Sequence, residues 1–270
     1  MIERSETEAG AAILWRGVAG ENATNLAGRL FGGMVIAQSI VAAARVNPTR
    51  HLHSLQQVFL RGGQTDAPID YYAETLFTGR TYQSVRVEVR QKGEVIAHAQ
   101  AGLSSGIEGP DRQLPSPATS AFDDTIDRGE LRQRCGWQDA PIAVRVEQSR
   151  EEGSEPNLDT WLKPNGALPA DPIMHQAMLS YVSDRAFMST AWKPHRASHG
   201  TFQGSTLDHT IWFHRPVTFD DWHVFAMHSP VITNGRGLNH GVIHHRDGTH
   251  VASVAQQGTF RPKPNQPHGT

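Results

Sequence analysis

The sequence predicts an α+β fold built as two tandem repeats, each an antiparallel sheet wrapped around a central helix. Three observations predict it. Residues 34–46 carry apolar side chains on almost every side, and a helix that is apolar all round must be surrounded by other structure. Four strand-like segments with well-marked turns follow it, as an antiparallel meander does. From about residue 142 the same order returns, a helix and then strands, and such internal similarity marks duplication.

The elements follow in order. Ile13-Leu14-Trp15-Arg16-Gly17-Val18 reads as a short strand. Phe31-Gly32-Gly33 leads into the first helix, which Asn47-Pro48 ends, because the residue before proline is steered away from the helical region. Strands are expected at about 53–61, 70–77, 81–91 and 94–103, separated by Gly62-Gly63, Thr78-Gly79 and Lys92-Gly93. Strict alternation over 81–90 gives that strand one polar face. Residues 106–141, rich in proline, glycine and scattered charge, form a linker between repeats at 1–105 and 142–270, with a short helix around 124–134. Val144-Arg145-Val146-Glu147 and Thr160-Trp161-Leu162 read as strands. Asp171-Pro172 is a capping residue followed by proline at the first helical position, so the second helix runs over 172–187. Strands at about 207–215, 222–229, 236–246 and 250–260 complete the second pass. In the first of these Leu207, Ile211 and Phe213 share one face and Trp212 the other. The halves echo each other: Phe59-Leu60-Arg61 with Phe213-His214-Arg215, Gly79-Arg80 with Gly235-Arg236, and Gln100 with Gln256.

The 270 residues suffice for a core without covalent staples. A net charge of -2 offers no electrostatic footprint for nucleic acid or an anionic membrane. A single cysteine, Cys135, excludes an internal disulfide framework and suits a reducing compartment. The sequence contains no apolar run of membrane-spanning length, and neither a secretory leader nor a peroxisomal C-terminal tripeptide is expected. A cytoplasmic protein without stable membrane insertion is expected.

Three residues stand out as candidates for chemistry. In the second helix Ile173, Ala177, Tyr181 and Asp184 recur at helical spacing, so Asp184 extends an apolar stripe toward the core and then needs hydrogen-bond partners. The alternative places it in solvent at the end of the polar run Ser183-Asp184-Arg185. Gln256 ends the apolar strand face of Ala252 and Val254, as a core bracket or a site residue. Thr206 opens the strand 207–215 and is by default only a strand residue.

Other patterns carry less. Gly102-Leu103-Ser104-Ser105-Gly106 fits a nucleophile elbow in letters, but that motif needs a strand, turn and helix, and a proline-bearing linker follows here. The fifteen histidines, among them His51/His53, His209/His214 and His240/His244/His245, lack the spacing of a zinc site; surface or strand positions and no metal are expected. Phe31-Gly32-Gly33 is neither a P-loop nor a dinucleotide fingerprint, and Cys135 is read as inert.

Taken together, Arg29-Leu30-Phe31-Gly32-Gly33-Met34-Val35-Ile36-Ala37-Gln38, His53 to Arg61, Tyr181-Val182-Ser183-Asp184, Thr206 to Pro216 with its D-H-x-x-W-F-H-R-P run, and Val251 to Gly258 resemble the acyl-CoA thioesterase II family. The resemblance covers about residues 25–105 and 170–262. It implies a double hotdog fold and hydrolysis of a fatty acyl-CoA of medium to long chain to the acid and coenzyme A, without cofactor. It also implies that Asp184, Thr206 and Gln256, all in the second repeat, hold and activate a water. By the same resemblance His53 stands where a histidine has been considered catalytic; the second histidine of that motif is Gln56 here, which weakens a histidine mechanism. Asp208 and His209 are assigned to the structural signature of the family. Backbone N–H groups at Gly32-Gly33, or at their counterpart in the second half, are candidates for stabilising the oxyanion. A homo-oligomer, a dimer or tetramer of double hotdogs, is expected. Two rivals are a non-catalytic acyl-CoA-binding protein and an enoyl-CoA hydratase, whose D-x-N-P-x-x-H signature is absent.

Overall fold

The computed structural model describes residues 2–4, 12–19, 28–118, 121–127, 142–147, 155–185 and 187–262. Helix α1 (Gly32–Ala44) is buried along its whole length from Gly33, apart from Met34, as its all-round apolar sequence requires. It is flanked by the sheet formed by β2 (Ile13–Gly17), β3 (His51–Phe59), β4 (Ile69–Thr78), β5 (Tyr82–Gln91) and β6 (Glu94–Ser104), with β1 (Ile2–Arg4) beside β2. Leu55, Ile69, Tyr71, Val85, Val87, Val89, Ala99, Ala101 and Leu103 are buried from the strands. Between β5 and β6 the backbone has φ of 51° at Lys92 and 83° at Gly93, the geometry that two-residue hairpin turns of primed type demand.

The second repeat follows the same plan. It contains β7 (Thr125–Asp127), β8 (Ile142–Glu147), β9 (Asn157–Pro164), α2 (Pro172–Ser183), a short α3 (Phe187–Trp192), β10 (Phe202–Gln203), β11 (Thr206–Phe213), β12 (His223–Thr233), β13 (Arg236–His245), β14 (His250–Thr259) and β15 (Arg261–Pro262). Asp171 caps α2 as expected, its side chain accepting from the Ile173 N–H at 3.0 Å.

Both repeats join in one antiparallel sheet of 13 strands, in the order β1-β2-β4-β5-β6-β3-β11-β14-β13-β12-β9-β8-β7. The join is the β3–β11 pair, where His209 faces Gln57 and Ile211 faces Leu55. About it the order is mirrored: β6, β5, β4, β2 on one side and β14, β13, β12, β9 on the other. Helices α1 and α2 pack against each other across this axis. This is the double hotdog expected from the sequence.

Several expectations need correction. The second helix stops at Ser183, with Asp184 as its C-cap, and the chain restarts a helix only at Phe187. The linker helix expected at 124–134 is not formed in its described part: Phe122–Asp124 is a single 3-10 turn and Thr125–Asp127 is a strand. The rest of that segment, and Cys135, lie outside the described residues. Leu207 is only half-buried, unlike Ile211 and Phe213, and a β-bulge falls between Thr206 and Asp208.

That bulge occurs twice. In β3 the register against β6 shifts between Leu52 and Ser54; in β11 the register against β14 shifts between Thr206 and Asp208. Superimposing the bulges matches Leu52 with Thr206 and Leu55 with His209. Ala101, opposite Leu55, then matches Gln256, opposite His209. The expected equivalence of Gln100 and Gln256 is therefore off by one residue. In a strand one residue is a change of face: Gln100 is exposed and bonds Ser84 Oγ at 3.1 Å, whereas Gln256 is fully buried.

Candidate active site

The three sequence-selected residues arrive at one point by three routes. Asp184 comes from the C-cap of α2. Gln256 comes from the inward face of β14, in line with Ala252 and Val254. Thr206 comes from the start of β11, and there the bulge decides its direction. Strict alternation would leave Thr206 on the face of Asp208 and Trp212. The extra residue returns it to the inward face, opposite Gly258, as bulges re-aim side chains.

The three side chains are hydrogen-bonded in series. Gln256 Nε2 donates to Thr206 Oγ1 at 3.2 Å, and Thr206 Oγ1 donates to Asp184 Oδ1 at 3.3 Å. Asp184 is only 9% exposed, so the solvent alternative is excluded. Burial pushes its carboxyl above the usual carboxylate value. Opposing that are the charge of His209 when protonated, a backbone N–H from Gly33, the Thr206 hydroxyl and the charge of Arg185. A carboxylate so poised can accept a proton near neutral pH.

The Gly33 contact means that the site is not made by the second repeat alone. The N-terminus of α1, from the first repeat, meets the C-terminus of α2. A helix N-terminus favours a nearby negative charge and a C-terminus disfavours it, so α1 offsets what α2 imposes on Asp184. The close approach depends on two glycines. A Cβ on Gly32 would lie 2.8 Å from Asp184 Oδ2 and 3.3 Å from the Phe59 ring. One on Gly33 would lie 2.5 Å from the Tyr181 carbonyl oxygen. The Gly33 N–H, one of the groups expected to stabilise an oxyanion, is directed instead to Asp184. At the opposite ends of the two helices Arg45, C-cap of α1, stands 3.9 Å from Asp171, N-cap of α2.

His209, expected as part of a structural signature, lies directly beside these residues. Its Nδ1 is 2.5 Å from Gln256 Oε1 and its Nε2 is 3.0 Å from Ser183 Oγ. The signal was present in the sequence: His209 has the parity of Ile211 and Phe213, the buried face. Asp208 points away and accepts from the Gln257 N–H at 3.3 Å. His53 of β3 sits over Gly102 and edge-on to Tyr82. Ser104 ends β6 with no helix after it, so the elbow geometry is absent there. Among the described residues no group of three or more His, Cys, Asp or Glu is disposed to hold a metal ion. Aromatic and thioether groups surround the polar chain: Phe59 beside Gly32, Met188 Sδ 3.7 Å from Thr206 Oγ1, and Phe187 edge-on to His209.

Known proteins share this architecture and sequence. The pattern of the family described as acyl-CoA thioesterase matches residues 132–259, and that of the acyl-CoA thioesterase N-terminal domain matches residues 21–104. Acyl-CoA thioesterase 2 of Haemophilus influenzae is 32% identical over 251 residues, covering 86% of this chain and 88% of that protein. Acyl-coenzyme A thioesterase 8 of Mus musculus is 31% identical over 260 residues, covering 87% of this chain and 81% of that protein. Among solved structures, the acyl-CoA thioesterase II TesB2 of Mycobacterium marinum superimposes with a TM-score of 0.80 at 29% identity, covering 98% of each chain. A hot dog fold protein of unknown function from Alicyclobacillus acidocaldarius gives 0.79 at 19% identity over 96% of each chain, a likeness of fold.

Proposed function

This chain belongs to the acyl-CoA thioesterase II family and hydrolyses acyl-CoA thioesters; from that premise we propose that Asp184, Thr206 and Gln256 activate the water, and that the acyl group is of medium to long chain. The observation that carries the reading is the hydrogen-bonded series Gln256, Thr206, Asp184. It sits at the junction of the two helices, with one carboxylate oxygen engaged by Thr206 and the other, Oδ2, facing the side-chain-free position of Gly32.

A thioester is already activated toward attack, so hydrolysis needs an oriented water more than a covalent nucleophile. Asp184 accepts a proton as the water oxygen bonds to the acyl carbon. The C–S bond then breaks, and coenzyme A leaves as a thiolate that takes up a proton. Thr206 and Gln256 fix the carboxylate and the water relative to the thioester, a proximity effect. Phe59, Phe187 and Met188 around the polar chain support an apolar acyl group. The repeats at 1–105 and 142–270 act as one catalytic unit, because Gly33 of the first touches Asp184 of the second. Homo-oligomers of this unit and a cytoplasmic location belong to the same proposal; in the described residues no helix is long and apolar enough to cross a membrane.

Thiol release from acyl-CoA substrates of graded chain length tests the proposal, with wild type and Asp184→Asn side by side. Wild type is expected to favour medium to long chains. The variant is expected to lose about 10²–10⁴-fold in kcat, the span of general-base assistance, while remaining folded. Near-normal turnover by Asp184→Asn would remove Asp184 from the mechanism.

A further inference from the structure

A buried polar row crosses four adjacent strands on the inward face: Gln57 of β3, His209 of β11, Gln256 of β14 and Asn239 of β13. Each is directly opposite the next, and all four have no solvent exposure. Directly opposed side chains on one face are close enough to interact. The inner two are bonded to each other, His209 Nδ1 to Gln256 Oε1 at 2.5 Å. The outer two, Gln57 and Asn239, have side-chain polar atoms without hydrogen-bond partners. Gln256 thus lies between a fixed partner and a free amide.

The orientation of the Gln256 amide matters because its two ends are chemically opposite. With Nε2 toward Thr206, the Thr206 hydroxyl receives a hydrogen bond and its own proton goes to Asp184. With the amide reversed, Oε1 would face Thr206 and draw that proton away from Asp184. We propose that His209 is a positioning residue: its Nδ1–H donates to Gln256 Oε1, fixes the amide with Nε2 on Thr206, and so sets the direction of the whole chain toward Asp184. In this arrangement His209 is neutral and its Nε2 is an acceptor. Ser183 Oγ lies 3.0 Å from that nitrogen and 2.9 Å from the Ser180 carbonyl; in this arrangement its one proton turns from the carbonyl to His209 Nε2. Burial favours this neutral form, drawing the imidazole below its usual pKa against the pull of the Asp184 charge and the Gln256 bond. The series then runs in one direction: Ser183, His209, Gln256, Thr206, Asp184.

The inference rests on the proposed roles of Asp184, Thr206 and Gln256. The test uses the full chain with octanoyl-CoA and palmitoyl-CoA, a thiol-trapping assay and thermal melts. His209→Asn keeps an N–H donor near the Nδ1 position; His209→Gln places its amide nearer Nε2; His209→Leu keeps neither. The Leu and Gln variants are expected to lose on the order of 100-fold in kcat, the scale of a misplaced catalytic contact, with KM within about 3-fold, as for lost transition-state interactions. Asn is expected to restore about 10-fold of that loss. A packing role predicts the reverse, with Leu at least as good as Asn. Should Leu not fold, a cycle decides: His209→Gln in a Gln256→Ala background is expected to cost less than about 3-fold more, since residues acting through one another are non-additive. Equal activity of the Asn and Gln variants, or full additivity in the cycle, overturns the role of His209. Wild-type turnover by Gln256→Ala alone would overturn the triad reading itself, and this role with it.

Discussion

Asp184 sits buried at the C-terminal end of one helix and against the N-terminal end of another, so its ionisation should couple the proposed catalysis to stability. Its pKa is raised in the folded protein, chiefly by burial. The folded state therefore binds that proton more tightly than the unfolded chain. The destabilising effect of the charge is complete above the folded pKa, shrinks as pH falls through it, and is gone below the ordinary carboxylate value. Asp184→Asn should thus melt above wild type at pH 8, while losing activity. The difference should close as the pH of the melt approaches 4. For wild-type turnover, the acid limb of log kcat against pH should fall above the ordinary carboxylate pKa, because the base must be ionised to act. An acid limb at or below that value would contradict the raised pKa. Helical spacing made the inward position of Asp184 legible in the sequence, and alternation did the same for Gln256. The inward turn of Thr206 was not legible, because a bulge is an insertion in a pairing register and the partner strand, about fifty residues away, is invisible to local pattern.

The helices and strands bring further consequences. Gly32→Ala would ordinarily favour a helix by about 0.5–1 kcal/mol. Here the added methyl would stand 2.8 Å from Asp184 Oδ2, so the expected outcome is no gain in Tm and at least about 10-fold loss of kcat, on the scale of small displacements at a catalytic group. A variant that is both more stable and fully active would contradict the close approach of α1 to α2. The β12–β13 pair carries a separate acid sensitivity. His223 is buried, bonds the Asp221 carbonyl through Nδ1 at 2.9 Å, and leaves Nε2 without a partner. Burial lowers its pKa to about 4, aided by neighbouring His245. A depressed imidazole pKa contributes stability that is complete above the unfolded value of 6.5 and lost as pH falls toward 4. Melts of wild type between pH 7 and 4 should show roughly 3 kcal/mol of such loss, at 1.36 kcal/mol per unit; His223→Phe should flatten it. Helix α1 and the meanders were legible because periodicity and turn residues are local signals. The early end of α2 at Ser183 was not, since Arg185 and Phe187 continue the composition of the helix, and the contact of the Arg185 guanidinium with the Phe31 ring is remote in sequence.

At the scale of the molecule, both repeats were legible, and so was the echo of Phe59 with Phe213, which the match of Leu55 with His209 reproduces; the Gln100–Gln256 pairing was not, because a slip of one position exchanges the two faces of a strand. The site spans both repeats, so neither should work alone. Residues 142–270 expressed alone are expected to release no thiol above background, whereas co-expression with residues 1–105 should restore activity if the β3–β11 edges find each other; full activity of the second repeat alone would contradict a contribution from α1. The repeated bulge also defines what lies opposite the site. Where the second repeat has Asp184, Thr206, His209 and Gln256, the first has Arg45, Leu52, Leu55 and Ala101. None of these four carries the carboxylate, hydroxyl, imidazole or amide of its counterpart. Of the two repeats, the proposal thus gives only the second a reaction centre. Equilibrium titration with a non-hydrolysable acyl-CoA thioether should saturate at one equivalent per polypeptide, and the ratio should stay at one however many copies of the chain assemble.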